Sequence, residues 1–241
     1  SMMEKPLYPS QYMRITQGYM QGTHQDSYAI DEAGSDAGID YMKAPFTGII
    51  KKIYTNDANE VWLESVEPVE YPDGTIDYMT MLFAHDNDVS NLSVGQIISK
   101  GARFYEEGTA GNATGNHVHI ECGKGKFTGT GWHENSAGYW SINNGKNPTE
   151  CLWIDDSITI MNDFGYSFRK VEETPVEILP ETPAEPEKNN EEEKPEEDKQ
   201  EEKPKEPMDE PVKEEPKLIF TCPKTDIYAI KLEKNQKLYL L

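Results

Sequence analysis

The sequence predicts an all-β chain, mainly antiparallel, whose larger part is a compact β-sandwich or barrel-like domain. Three observations carry that expectation. Short runs of β-branched and aromatic residues recur with turn residues every ten or so positions. No stretch sustains the 3.6-residue apolar periodicity of a helix. After Val171 the composition changes abruptly to Pro, Glu and Lys. These boundaries divide the 241 residues into a domain at 8–171, a disordered acidic linker at 172–217 and a short β-rich segment at 218–241.

Taken in order, Tyr28-Ala29-Ile30-Asp31 reads as a short strand followed by a polar loop from Glu32 to Gly38. Ala44-Pro45 makes a turn into the β-branched run Gly48-Ile49-Ile50-Lys51-Lys52-Ile53-Tyr54. Val61 to Glu64 and Tyr78 to His85 are strands on either side of a turn at Pro72-Asp73-Gly74, a hairpin with a long loop. Val94-Gly95-Gln96 and Ser99-Lys100-Gly101 bracket a short apolar pair. A glycine-rich loop, Gly108 to Gly115, leads into Asn116-His117-Val118-His119-Ile120-Glu121. From Gly123 to Gly145 the pattern is irregular, and Pro148 to Ile160 returns to an apolar alternation that would close the sheet. The final stretch, with Leu-Ile-Phe, Ile-Tyr-Ala-Ile and Leu-Tyr-Leu-Leu, reads as two or three strands too few to fold alone.

Charge narrows the function. The formal net charge is −21, which argues against nucleic acid, since a phosphate-binding surface needs a basic patch. Most of it belongs to the linker: Glu172 to Lys217 holds 19 acidic and 7 basic residues, a net of −12 that leaves −9 for the rest. Nine prolines there preclude a helix of any length, and the segment repels itself into an extended tether. No apolar run is long enough for a membrane span. The N-terminal Ser-Met-Met-Glu-Lys-Pro lacks the charged head and apolar core of a signal peptide. Cys122, Cys151 and Cys222 are too few and too scattered for a disulfide framework and contain no Cys-x-x-Cys pair.

The chemistry gathers around the histidine strand. Successive side chains of a strand face opposite ways, so His117 and His119 share one face, about 7 Å apart, while Val118 and Ile120 pack on the other. Such a pair suits a divided task, one imidazole on a metal and one beside it, although an ordinary strand also carries surface histidines. Two neutral histidines and one carboxylate with an open fourth position form a recurrent catalytic zinc set. His24, Asp31 and His119 would supply it. His85 and His117 would then flank the metal-activated water and the polarised carbonyl. Glu121 follows the alternation onto the histidine face, where it would orient a ligand imidazole or be solvated. Trp132, His133, Tyr139 and Trp140 suit either a substrate groove or the closed end of the barrel, and stay outside the catalytic set.

At these residues the chain resembles the lysostaphin/LytM family of zinc metalloendopeptidases, which cleave peptide bonds in bacterial peptidoglycan. Ala44-Pro45-Phe46-Thr47-Gly48-Ile49-Ile50 resembles the family's Ala-Pro-x-x-Gly-x-Val entry into a strand. Val94-Gly95-Gln96-Ile97-Ile98-Ser99-Lys100-Gly101 resembles its Val-Gly-Gln-x-Val-x-x-Gly segment. Gly108 to Glu121 resembles its Gly-x-Thr-Gly-x-Ser-x-Gly-x-His-x-His-x-Glu signature. The resemblance spans about Ile15 to Asp155. It implies a Zn²⁺ ion held by His24, Asp31 and His119, catalytic roles for His85 and His117, peptidoglycan peptides as partners, and action at the bacterial cell wall. One departure stands out. Six residues separate His24 from Asp31, where the commonest family form has three, which leaves Asp26 and Asp40 as alternatives to Asp31. That spacing and the absent leader lean towards a phage or prophage member. A module that keeps the fold without turnover, binding the wall or building a virion, is the alternative; the filling of all five positions speaks against it.

Overall fold

The computed structural model describes residues 2–129 and 131–172 of the chain. The expectations for the linker beyond Glu172, for the segment 218–241 and for Cys222 lie outside the described residues. Tyr12–Gln17 (β1) and Ile30–Glu32 (β2) pair antiparallel, and between them Gly22–His24 forms a single 3-10 turn. Tyr41–Lys43 (β3), Gly48–Tyr54 (β4) and Glu60–Ser65 (β5) follow, then a small hairpin of Val69–Glu70 (β6) and Ile76–Asp77 (β7). Met79–Ala84 (β8), Ile97–Ile98 (β9), Arg103–Glu106 (β10) and Val118–Lys124 (β11) complete the central part. The chain continues through Trp132–Glu134 (β12), Trp140–Ile142 (β13), Gly145–Lys146 (β14) and a one-turn helix, Pro148–Cys151 (α1). Trp153–Ile154 (β15), Thr159–Asn162 (β16) and Arg169–Lys170 (β17) end the described chain.

One sheet in the order β16-β1-β2-β11-β8-β5-β4-β9 organises these elements, with β14 added to β11. Its pairings are antiparallel except the outermost, where β16 runs parallel to β1. The all-β expectation holds, and so does the long-loop hairpin: β5 and β8 pair from Val61–Phe83 to Glu64–Thr80, with β6 and β7 folded inside their connection. Two details differ from the sequence reading. Pro148 to Ile160 opens with α1, because Asn147 caps it by accepting from the Thr149 amide and Pro148 occupies its first turn. The irregular stretch after Gly123 contains the hairpin β12–β13, whose alternation is too short to register as a strand signal.

Period-two alternation gives the sheet two different faces. Val118, Ile120 and Cys122 of β11, Met81 and Phe83 of β8, and Val61 and Leu63 of β5 are all fully buried in the main core. The opposite face carries His119 and Glu121, Leu82 and Ala84, and Trp62 and Glu64. Part of that face is covered by the segment after β11, where Trp62, Leu82 and Ile142 form a second cluster with Tyr54, Phe127 and Trp132 packed on it. Every residue of β8 is therefore buried, which explains its unbroken apolar run, as in any strand covered on both faces. The uncovered remainder of this second face is where the histidines lie. Among the described residues no helix is long and apolar enough to cross a membrane.

Candidate metal centre

Three strands and a turn bring the predicted residues together. Asp31 pairs with His119 across β2 and β11, and His119 pairs with Ala84 across β11 and β8. Paired residues in a sheet face the same way, so register alone sets Asp31 beside His119. His24 arrives from the 3-10 turn between β1 and β2 and is 2 % exposed. The six-residue interval before Asp31 is taken up by the end of that turn and by Asp26, whose φ is +56°. Asp26 itself is exposed, and Asp40 is engaged elsewhere, accepting from the amide and hydroxyl of Ser35 at 2.6 and 3.0 Å.

Asp31 Oδ1 is the centre of the cluster. It lies 3.3 Å from His24 Nε2, 3.4 Å from His119 Nδ1 and 3.6 Å from His117 Nε2. It is buried and makes no aligned hydrogen bond. A donor set with an orphaned buried oxygen is what a cation would satisfy. The spacing fits as well. Two atoms each about 2.0–2.1 Å from a tetrahedral zinc are about 3.3–3.4 Å apart. The ligand atoms of His24, Asp31 and His119 all fall within 4.8 Å of one another.

Each histidine is held by its other nitrogen. His24 Nδ1 lies 3.2 Å from the Gly18 carbonyl, and donating there leaves Nε2 as the free lone pair. His119 does the reverse: its Nε2 lies 3.2 Å from Glu121 Oε2, so Nδ1 is free to face Asp31. Such outer partners fix both the tautomer and the ring orientation of a metal ligand. Burial pushes the His119 imidazole down, but the close carboxylates of Asp31 and Glu121 outweigh it and raise it to about 10. Asp31 responds in kind. Burial opposes its ionisation, yet His119 and His24 hold the carboxyl well below the usual carboxylate range. The acceptors around this point demand positive charge, whether a proton or a divalent ion.

His85 and His117 stand beside this set, their ring centroids 4.5 Å apart. His85 Nδ1 donates to the Ala110 carbonyl at 2.6 Å and His117 Nδ1 to the Gly115 carbonyl at 2.8 Å, which leaves both Nε2 atoms as bases. Burial, with the neighbouring His119, lowers the His85 imidazole to about 4 and keeps it neutral. His85 has a φ of +93°, a left-handed conformation that costs a residue with a side chain about 1–3 kcal/mol. The backbone around it is correspondingly tight. Gly108 bridges His117 through paired amide–carbonyl hydrogen bonds, and a Cβ on Gly108 would stand 2.2 Å from the His85 carbonyl oxygen. The glycine of the loop is thus required by a close backbone approach.

The five residues singled out from sequence line one groove, and the sequence reading left others of its walls out of the site. Trp132, Tyr139 and Trp140 line it, as do Asp57, Glu60 and Asn112. His133 is not among them; its Nδ1 contacts Asn143 Oδ1 at 3.0 Å on the outside of the hairpin. Asn116 ties its loop down by donating to the Ala37 carbonyl. Glu121 is 3 % exposed, and its second oxygen accepts from Ser27 Oγ at 3.1 Å and from the Ile142 amide at 3.3 Å, so the solvated reading of this carboxylate does not hold.

No protein-family model matches the chain, and no curated protein matches it. Solved structures are similar to it. The catalytic domain of the antimicrobial peptidase lysostaphin from Staphylococcus simulans is 19 % identical over 57 % of this chain and 90 % of that one, with a TM-score of 0.38. A zinc-containing peptidase from Vibrio cholerae is 16 % identical, with a TM-score of 0.36; the match covers 49 % of this chain and spans 37 % of the length of that protein. The SpoIIQ–SpoIIIAH pore-forming complex gives 16 % identity over 63 % of this chain and 92 % of that one, with a TM-score of 0.38. At these identities the likeness is one of fold.

Proposed function

We propose that residues 8–171 are a zinc-dependent endopeptidase that hydrolyses peptide bonds of bacterial peptidoglycan, in the stem peptide or the cross-bridge, at the cell wall. The observation that carries this reading is the convergence of His24 Nε2, Asp31 Oδ1 and His119 Nδ1, beside two further imidazoles whose Nε2 atoms are free. A groove open to solvent runs past all five. The choice of peptidoglycan is supported by the three sequence segments that resemble the lysostaphin/LytM family.

The metal would be held by His24, Asp31 and His119, where it supplies Lewis-acid polarisation of the amide carbonyl and a nucleophilic water at neutral pH. The protein's own residues do the rest. Glu121 and the Gly18 carbonyl orient the ligand imidazoles. His117 and His85 present their Nε2 atoms on the open side, one to steady the developing oxyanion once protonated and the other to carry a proton to the leaving amine. Their Nδ1 contacts to backbone carbonyls keep those tautomers in place.

Mass spectrometry of peptidoglycan from several wall types, incubated with the zinc-loaded chain and in parallel with His117→Ala, tests the proposal. New amino termini are expected from the unmutated protein, with release by His117→Ala lower by at least about 10²-fold, the usual worth of a general acid–base group. Absence of release from any wall by a protein that binds zinc stoichiometrically would replace the peptidase with a non-catalytic wall-binding or virion module. Full activity in His117→Ala would remove the role given to that residue.

A further inference from the structure

Glu60 belongs to the same row of the sheet as the metal centre. The pairs Asp31–His119 and His119–Ala84 continue, one step beyond the Val61–Phe83 pair, from Ala84 to Glu60, and β4 adds Tyr54 opposite Glu60. All five side chains therefore emerge on one face. Strands are about 4.8 Å apart, so Glu60 stands about 10 Å across the sheet from His119. Ala84, between them, leaves the floor of the groove low.

The carboxylate of Glu60 accepts from the backbone of Glu60 and Ala58 and still leaves one oxygen unpartnered. Its Oε2 is buried with no hydrogen-bond partner, and Asp57 lines the same groove with a second negative charge. Burial, and after it the Asp57 charge, raises the Glu60 carboxyl above its ordinary value. No Lys or Arg is among the described residues that line the groove. The same groove is lined by Trp132, packed edge-on against Tyr54 with ring centroids 5.2 Å apart, and by Trp140, which is 57 % exposed. Among the described residues the side-chain cation over these rings is Lys52, 4.8 Å from the Trp132 ring centroid and 5.8 Å from that of Trp62, and it does not line the groove. A groove that combines carboxylates with aromatic rings matches an ammonium on an aliphatic stem, which lays its methylenes on the rings and its charge on the carboxylate.

We propose that Glu60, assisted by Asp57, is a specificity-determining residue that selects substrates carrying a free primary ammonium within about three residues of the scissile amide. The inference rests on the peptidase reading. The reach follows from geometry: an extended chain spans about 3.3–3.6 Å per residue, so 10 Å is met by one residue and a lysine-length side chain, or by a free amino terminus about three residues away. A charge-assisted hydrogen bond at this position corresponds to about ten- to a hundredfold in kcat/KM.

The test uses a synthetic lysine-containing wall peptide spanning the bond cut in the peptidoglycan digest, in four forms: both amines free, Nα-acetylated, Nε-acetylated and doubly acetylated. The zinc-loaded full chain is expected to prefer the free amine by about ten- to a hundredfold, and the singly acetylated forms tell a side-chain ammonium from an amino terminus. Glu60→Gln should abolish that preference while leaving the doubly acetylated peptide at the unmutated rate, and the exposed Asp57→Asn should reduce it in part. Equal rates for all four peptides with the unmutated protein, or an equal slowing of all four by Glu60→Gln, would overturn the assignment. Should the peptidoglycan digest give no cleavage, the peptidase reading fails, and calorimetric titration of a lysine-type stem pentapeptide and its acetylated forms into the same protein decides the ammonium preference separately. A preference lost in Glu60→Gln would sustain it, and indifference to acetylation would end it.

Discussion

Replacing Glu121 probes the candidate metal centre without touching a ligand. The carboxylate is buried and engaged at both oxygens: Oε2 meets His119 Nε2 at 3.2 Å, and Oε1 accepts from Ser27 Oγ and the Ile142 amide. If His119 binds a metal through Nδ1, its Nε2–H must be donated to Glu121, and the negative charge there raises the basicity of the ligand nitrogen. Glu121→Gln keeps an acceptor of the same shape and removes the charge. Glu121→Ala removes both, and also strands the Ser27 hydroxyl and the Ile142 amide. Outer partners of this kind are worth about 10–100-fold in metal affinity. We therefore expect zinc dissociation constants raised about tenfold in Glu121→Gln and nearer a hundredfold in Glu121→Ala. The Ala variant should in addition lose about 1–3 kcal/mol of stability for each buried donor left unpaired. Competition titration against a chromophoric chelator reads the affinity, and urea unfolding of the same samples reads the stability. A folded Glu121→Gln with unchanged zinc affinity would refute the role of Glu121, and with it the argument that His119 presents Nδ1.

Two further outcomes follow from the surroundings of the site. Gly108→Ala places a methyl against two backbone atoms, the His85 carbonyl oxygen at 2.2 Å and the Asn87 amide nitrogen at 2.8 Å, neither of which can swing aside. It should cost about 1–3 kcal/mol in urea unfolding and displace His85; an unchanged unfolding midpoint would contradict the tight approach. Glu107 is 1 % exposed, and burial together with the nearby Asp40 charge raises its carboxyl to about 7. Because the folded chain then holds its proton more tightly than the unfolded one, its contribution to stability is complete below about pH 4.5 and is lost as the pH rises through 7. Glu107→Gln mimics the protonated form, so it should match the unmutated chain near pH 4.5 and exceed its stability at pH 8 by about 1–3 kcal/mol. Equal pH slopes for the two proteins would show that Glu107 titrates normally.

Much of the second face was legible before any coordinates because a strand carries its own rule for facing. His117-Val118-His119-Ile120-Glu121 states which residues go to the core and which to the site, and the buried Val118 and Ile120 follow it. Tyr28 to Asp31 and Tyr78 to His85 were readable for the same reason. What alternation cannot express is register, which depends on pairing between strands distant in sequence. That Glu60 faces the same row as His119 is a property of β5, β8 and β11 together, and Glu60 taken alone is one more charged residue at the start of a strand. The strand β1 and the hairpin of Trp132 to Ile142 escaped for a related cause: the first mixes polar and apolar residues in a half-buried strand, and the second has only three residues in each arm.

The choice among Asp26, Asp31 and Asp40 shows how the two levels combine. Counting residues from His24 left three carboxylates open, because a loop can absorb almost any interval. Pairing Asp31 with His119 closes that freedom, since a one-residue slip of β2 would turn Asp31 to the core face and bring Ile30 or Glu32 to the histidines. Ile30 and Glu32 are both fully buried on the opposite side, and Glu32 is fixed there by Tyr8 Oη, the Arg14 amide and the Gly34 amide. The register that gathers His24, Asp31 and His119 is thus enforced from beneath by a carboxylate that takes no part in the site. A neighbour packed against the far face of the sheet decides which aspartate meets the histidines.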